Sequence, residues 1–381
     1  MGTHSSRPRR TNAVVAGALA NKPGSGGEAW VRLNWALGLE RLGFRVVFVE
    51  QVSTSRPTSR SIEYFRAVTR RFGLQDSALL DGTGSIVGLS REAVRELAGD
   101  AALLVNLSGN LRDLALVEGC QRKVYIDLDP CYTQFWHADG IDVGLAGHDH
   151  YFTVGTRIGA ADCPVPTSGI EWIPTAPPVV LASWPAVQTG GGRFTTVASW
   201  RGAYGRVEYD GHVFGQKAHE FRRMRELPRR APFAFELALA IDPEDALDRV
   251  GLVKAGWRLV DPSEVASDPE RFRQYISGSS AEFSVAQSIY VETRCGWFSD
   301  RTAAYLSAGK PALVQDTNLG QGFDAGKGLV LFRTLDEAVA GADDIAADYA
   351  AHCSSARGLA EERFDSDVVL RRLLERIGAA P

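Results

Sequence analysis

Four stretches of the chain carry residue types that could do chemistry, and the first is RCGWFSDRTAAYLSAGKPALVQDT, residues 294–317. Ser299 and Asp300 can cap a helix that starts there, and Gly296 lets backbone approach a ligand without a Cβ. A helix start offers unpaired amides and part of a positive charge, which together make an anion site. Arg294 stands beside it, permanently charged and suited to phosphate oxygens. Asp316 and Thr317 follow the next apolar run, so they share the same rim. A well-capped helix packed by Trp297, with Arg294 paired to an acid, accounts for these residues equally well.

The second stretch is SWRGAYGRVEYDGHVFGQK, residues 199–217, bracketed by Arg201 and Lys217. Two cations near a helix start suit a diphosphate, or they are surface charges. The third is KPGSGGE, residues 22–28, in which Gly24, Gly26 and Gly27 make a turn before a helix. It lacks the full dinucleotide fingerprint, although Glu50 ends the following strand. Glu28 can serve as a weak base held as the anion, or simply as a favourable first-turn residue. The fourth is IDLDPCYTQFW, residues 126–136. Asp127 and Asp129 have a spacing that can chelate a divalent ion, but acceptor orientation or general-base work by Asp129 fits better, and an Asp-Pro turn remains open. Tyr132 and Trp136, with Trp172 further on, are expected to line an acceptor pocket. His148 and His150 alternate into a strand and read as structural, so no metal site is expected.

The elements that must position these residues alternate along the chain. Strands are expected at 13–19, 44–49, 101–106, 123–127 and 150–154, with helices at 29–42, 62–72 and 91–97. A second series places strands at 194–199, 233–241, 257–260, 282–285, 312–315 and 328–332. Its helices fall at 218–225, 243–255, 269–276, 300–308, 335–361 and 367–377. This is an α/β chain of two doubly wound domains, with parallel sheets covered on both faces. The expected division is a leader 1–12, a first domain 13–180, a Pro- and Gly-rich linker 181–192, a second domain 193–362 and a C-terminal helix, 363–381, returning to the first domain. Ligands bind outside the C-terminal strand ends of such sheets, so the cleft between domains is the expected site.

Composition narrows the classes. Among 381 residues 45% are hydrophobic and 23% charged, and the net charge of −4 shows no basic excess for nucleic acid. Five scattered cysteines form no CxxC pair, which points to a reducing, cytoplasmic setting. The apolar runs are too short for an integral membrane segment.

The order Cys-Gly-Trp-x-Ser, apolar helix, Ala-Gly-x-Pro, strand and Asp resembles the donor-binding box of GT-B glycosyltransferases. It is similar to the plant secondary-product enzymes and to bacterial family-1-like enzymes that read Arg-x-Gly-Trp-Phe-Ser-Asp-Arg here. The resemblance covers about 24 residues and implies two Rossmann-like domains facing across a cleft. It implies hexosyl transfer from a nucleoside diphosphate sugar, such as a UDP- or TDP-sugar, to a hydroxyl of a small molecule or natural product. It also implies inversion, no metal, and no cofactor beyond the co-substrate. By the same resemblance Arg294, Gly296, Trp297, Ser299 and Asp300, with Arg201 and Lys217, hold the diphosphate. Asp316 and Thr317, with Gly26 and Gly27, hold the sugar, and Glu28 takes the place of a general base. One departure is Ala304, where the family carries a ribose-binding Glu. A nucleotide-sugar epimerase of the same fold, or a non-catalytic nucleotide-binding protein, is the alternative reading.

Overall fold

The computed structural model describes residues 11–52, 57–187, 192–319, 323 and 325–380. Residues 1–10 of the expected leader and 188–191 of the expected linker lie outside the described residues.

The first domain is an eight-stranded sheet in the order β4-β3-β2-β1-β5-β6-β7-β8. Its strands are β1 (Asn12–Ala16), β2 (Arg45–Gln51), β3 (Ser77–Leu80), β4 (Ser85–Gly88), β5 (Ala101–Leu107), β6 (Lys123–Asp127), β7 (His150–Thr153) and β8 (Trp172–Pro174). All neighbours are parallel except β3 and β4. β1 is buried along its whole length, as a central parallel strand covered on both faces must be. The second domain holds β9 (Arg193–Ser199), the hairpin β10 (Val207–Tyr209) and β11 (His212–Phe214), β12 (Ala234–Ala240), β13 (Arg258–Val260), β14 (Ala281–Ser284), β15 (Ala312–Gln315) and β16 (Leu329–Phe332). Apart from the hairpin these pair in parallel in the order β13-β12-β9-β14-β15-β16.

Three local expectations are corrected. The stretch between β9 and Lys217 is not all loop, because Val207–Tyr209 and His212–Phe214 pair antiparallel around Asp210 and Gly211, both at positive φ. The helix expected over 335–361 is two, Leu335–Ala347 and Tyr349–Arg363, broken at Asp348, whose φ of −138° and ψ of 52° lie outside the helical region. The Pro- and Gly-rich stretch before the second domain is no loose tether where it is described. Trp184 there is fully buried, its ring 5.2 Å from Trp30 of the first domain and 6.3 Å from Phe272 of the second.

The domains meet on both flanks of the cleft. On one side the first-domain helix Gly26–Arg41 touches the second domain: the Gly26 amide donates to the Ala266 carbonyl at 2.7 Å and the Trp30 indole to the Pro269 carbonyl at 2.7 Å. On the other, the amides of Thr156 and Arg157 donate to the carbonyls of Gly296 and Cys295 at 3.1 and 2.9 Å. The last helix, Ser366–Ile377, leaves the second domain and packs on Gly26–Arg41, with Leu370 and Ser366 against Gly38 and Arg41 bonded to Asp367 at 3.0 Å. No helix among the described residues is long and apolar enough to cross a membrane.

Candidate active site

A cleft of about 530 Å³ opens between the C-terminal ends of the two sheets. Its second-domain wall contains Lys217, Trp297, Ser299, Asp300 and Arg301, and its first-domain wall Gly27, Glu28 and Asp129. The helix that borders the cleft on this side is Asp300–Ser307; the Ser299 hydroxyl accepts from the Arg301 amide at 3.2 Å, an ordinary N-cap that leaves other first-turn amides without an intrahelical partner. The sequence alone assigns no role to Arg301. Its guanidinium donates to Glu282 at 2.8 Å, to the Val197 carbonyl at 2.9 Å and to Ser284, which ties the helix to β14 and β9.

Lys217 opens the helix Lys217–Arg223, where its amide donates to Gln287 at 2.9 Å. Its ammonium has no ion-pair partner among the described residues. Burial, and then the nearby Arg301 charge, lower its pKa to about 7. A lysine whose pKa is lowered in this way is restored to its charged form when an anion binds beside it.

Two carboxylates line the cleft from the first domain. Glu28 lies in the first turn of Gly26–Arg41 and is ion-paired with Arg32, four residues on. Burial pushes its carboxyl up, but the charges of Arg32 and Lys22 outweigh this and hold it below the ordinary Glu value. Asp129 sits two residues past β6 at the turn into the helix Tyr132–Ala138. Its pKa is raised to about 6, by burial first and then by the charges of Glu28 and Asp127. One oxygen accepts from the phenol of Tyr204, 2.9 Å away in the second domain.

Asp127 has a different fate from Asp129. Its oxygens accept from Thr133 at 2.7 Å, Gln134 at 2.8 Å, Thr153 at 2.7 Å and the Asp129 amide at 3.1 Å. It is consumed in shaping the turn that presents Asp129, so the two do not form a chelating pair. Glu50 is likewise structural, accepting the amides of Leu19, Ala20 and Asn21 at 2.8, 2.6 and 2.8 Å where the glycine-rich turn begins. His148 is bonded to Asn106 and to the Leu145 carbonyl at 3.1 and 3.0 Å.

The structure brings Glu28, Asp129, Lys217, Trp297, Ser299, Asp300 and Gly27 together and leaves several expected residues outside the cleft. Arg294 ends the helix Ser288–Thr293 with a left-handed φ of 52° and is exposed on the flank. Arg201 turns away to Asp245 and Glu244 at 3.1 and 3.3 Å. Gly296 has φ 72° and abuts Thr156 and Arg157 of the first domain, so its missing side chain serves domain contact rather than ligand approach. Gly26 is pressed on the Asp268 carbonyl. Asp316 is taken by Arg333 at 2.6 Å and by the Asn318 amide at 2.7 Å, while the buried Thr317 hydroxyl donates to the Trp297 carbonyl at 2.7 Å. Ala304 is 4% exposed in a small recess with Trp30 and Phe272, and so presents nothing to a ribose.

Of the aromatic residues expected to hold an acceptor, Trp136 lines a second pocket of about 320 Å³ that meets the cleft at Asp129. Tyr132 is buried behind it, its ring 4.7 Å from Tyr204. Trp172 belongs to the core, packed 6.3 Å from Tyr125 and 5.9 Å from Tyr151. Tyr204, which does line that pocket, was missed, because its partner is 75 residues away on the other domain and nothing local announces the contact.

No family model and no curated protein sequence matches the chain. Solved structures do. An alpha-glucosyltransferase (AGT) in complex with UDP superposes with a TM-score of 0.60 over 97% of this chain and 100% of that chain, at 10% identity. HepE from Anabaena in complex with UDP-glucose gives 0.59 over 97% and 100%, at 11% identity. AviGT4, a glycosyltransferase involved in avilamycin A biosynthesis, gives 0.58 over 97% of both chains, at 12% identity. At such low identity what these likenesses share with the chain is architecture: two Rossmann-like domains facing across a cleft, the GT-B fold of glycosyltransferases.

Proposed function

We propose that the protein transfers a sugar from a nucleoside diphosphate sugar to a hydroxyl of a small molecule. The observation that carries this reading is the junction at Asp129. A carboxylate with a pKa of about 6 stands where a cleft holding an unpaired lysine and a helix start meets a separate aromatic pocket. In this reading the diphosphate lies against Lys217, Arg301 and the amides at the start of Asp300–Ser307. Those groups stabilise the charge that develops on the leaving diphosphate. Asp129 takes the proton of the acceptor hydroxyl as its oxygen attacks the anomeric carbon, and the diphosphate departs from the opposite face with inversion. Trp297, stacked on Tyr290 with ring centroids 4.6 Å apart, walls the cleft. The compared structures hold UDP or UDP-glucose, or are named for natural-product assembly, which supports a nucleotide-sugar donor and a small acceptor.

Calorimetry with UDP, TDP, GDP and NAD, followed by a donor screen read by mass spectrometry, tests the reading. Binding of a nucleoside diphosphate and release of its sugar are expected; NAD binding with no response to any diphosphate overturns it. A second stereochemical outcome has its own support, since one compared protein is named an alpha-glucosyltransferase. The anomeric configuration of the product, read by NMR, decides: retention removes Asp129 from the role of base in direct displacement. An alpha-glucosyltransferase has also been solved with UDP and a 13-mer DNA. A DNA oligomer therefore belongs in the acceptor panel, where the net charge of −4 argues against it.

A further inference from the structure

A cavity of about 450 Å³ lies apart from the cleft and from the aromatic pocket beside Asp129, and no described residue lines both it and either of them. Its size is that of an ordinary small-ligand site, roughly 300 to 1,000 Å³. Three parts of the chain build it. The ends of β7 and β8 supply Phe152 and residues 173–176, the helix Tyr349–Arg363 supplies its last residue, and the return helix Ser366–Ile377 supplies Val369, Arg372, Leu373 and Arg376. Those four recur at i, i+3, i+4 and i+7, which is one face of a helix. Val369 and Leu373 are buried and, with Phe152, close the floor. Ile173 and Ala176 are half-buried and Pro174 is exposed, so the wall keeps apolar surface for an occupant to cover.

The charge around this cavity has one sign. Among the described residues that line it, every charged side chain is an arginine: Arg363, Arg372 and Arg376. Arg363 reaches Glu362 at 3.1 Å and Arg376 reaches Glu171 at 2.9 Å. Both carboxylates are exposed, and ion pairs of that kind are weak and readily exchanged for another anion. Arg372 is exposed and has no hydrogen-bond or ion-pair partner among the described residues. It stands four residues before Arg376 on the same helix face, where like charges repel. An anion placed between the two relieves that repulsion, and a planar carboxylate fits the guanidinium fork.

We propose that this cavity is a binding site for a small amphipathic carboxylate, its apolar body against Ile173, Pro174 and Ala176 and its head between Arg372 and Arg376. The site does not depend on the glycosyltransferase reading. It does adjoin the contact between the domains. Thr156 lines the cavity, and its hydroxyl donates to the carbonyls of Leu319 and Gly296 at 2.8 and 3.1 Å. Gly296 precedes Trp297, which walls the cleft. An occupant therefore ties the first-domain strands to the return helix beside the contact that carries Trp297, and it stabilises the folded chain in proportion to its occupancy.

The test titrates the full chain by calorimetry with decanoate below its micelle concentration. Acetate and inorganic phosphate serve as heads without a tail, and 1-decanol as a tail without a charge. One decanoate per chain is expected, with each of the other probes about ten-fold weaker or more, and with affinity falling as salt is added. Arg372→Gln should weaken decanoate about ten-fold while leaving the unfolding temperature of the free protein in place, because the side chain is exposed and unpaired. Ala176→Trp, which fills the cavity, should abolish binding and with it the rise of unfolding temperature with decanoate concentration. Should Ala176→Trp fail to fold, Arg372→Gln still decides. No decanoate binding, several decanoates per chain, equal affinity for decanol or for phosphate, or an unchanged affinity in Arg372→Gln each overturns the proposal.

Discussion

Glu28 and Asp129 border the same cleft from the same domain, yet their surroundings give them opposite properties. Glu28 has a cation in its own helix, and Arg32 and Lys22 hold it as a stable anion. Asp129 has no ion-pair partner among the described residues; burial and the neighbouring negative charges of Glu28 and Asp127 lift its pKa to about 6, outweighing the Tyr204 phenol and the more distant Arg32 charge, which favour its anion. A base works best when its pKa lies near the working pH, so the carboxylate without an ion pair is the one fitted to take a proton. Side-chain type did not separate the two; the neighbours did.

The largest effect that would sharpen this contrast is expected from Asp129→Asn. Under saturating donor and acceptor kcat should fall about 10²–10⁴-fold, the range for loss of a general base, and a loss below ten-fold would break the assignment. Next, Lys217→Ala should weaken diphosphate binding by about 1.5–3 kcal/mol in calorimetry, the worth of a hydrogen bond to a charged group. The pH signs follow from both groups. Asp129 must be deprotonated, so kcat/KM rises through about pH 6; Lys217 must be protonated, so it falls through about pH 7. A narrow bell between those values is expected, and Lys217→Arg should remove its alkaline side. Gly296→Ala should destabilise the protein by about 1–3 kcal/mol in thermal unfolding, because φ is 72° there and the new Cβ meets Thr156. Glu28→Gln should reduce kcat less than ten-fold and move the acidic limb downward, since a charge that raises Asp129 has been removed. The smallest effects are expected from Arg294→Ala and Arg201→Ala, within about 0.5 kcal/mol in diphosphate affinity, because Arg294 is exposed on the flank and Arg201 is held by Asp245 and Glu244.

What was legible in the sequence was local. The alternation of apolar runs and helix patterns placed β1, β2, β5, β6 and β7 and the six strands of the second sheet, but not the short strands β3, β4 and β8 at and beside the edges of the first. The Ser-Asp helix start was visible because caps and strand ends are written in adjacent residues. The aim of side chains was not legible. Arg294 and Arg301 lie seven positions apart in one motif, and which of them meets the cleft depends on whether the chain at that point is a left-handed cap on the flank or a helix's first turn. Asp316 looked free until β16 brought Arg333 beside it. The hairpin between β9 and Lys217 escaped notice because its two strands are three residues each, too short for an alternation to show, and their packing on Phe135 comes from the other domain.

The sequence by itself therefore determined two α/β domains, a helix start suited to an anion and an acidic turn after β6, because each depends on periodicity and capping within a few residues. Tertiary structure alone decided that Asp129 rather than Glu28 has the raised pKa, that Lys217 has no ion-pair partner among the described residues, and that Tyr204 reaches across to Asp129 from the second domain. Those properties arise from burial and from charges brought close by folding, and neither has a signature in the order of the residues.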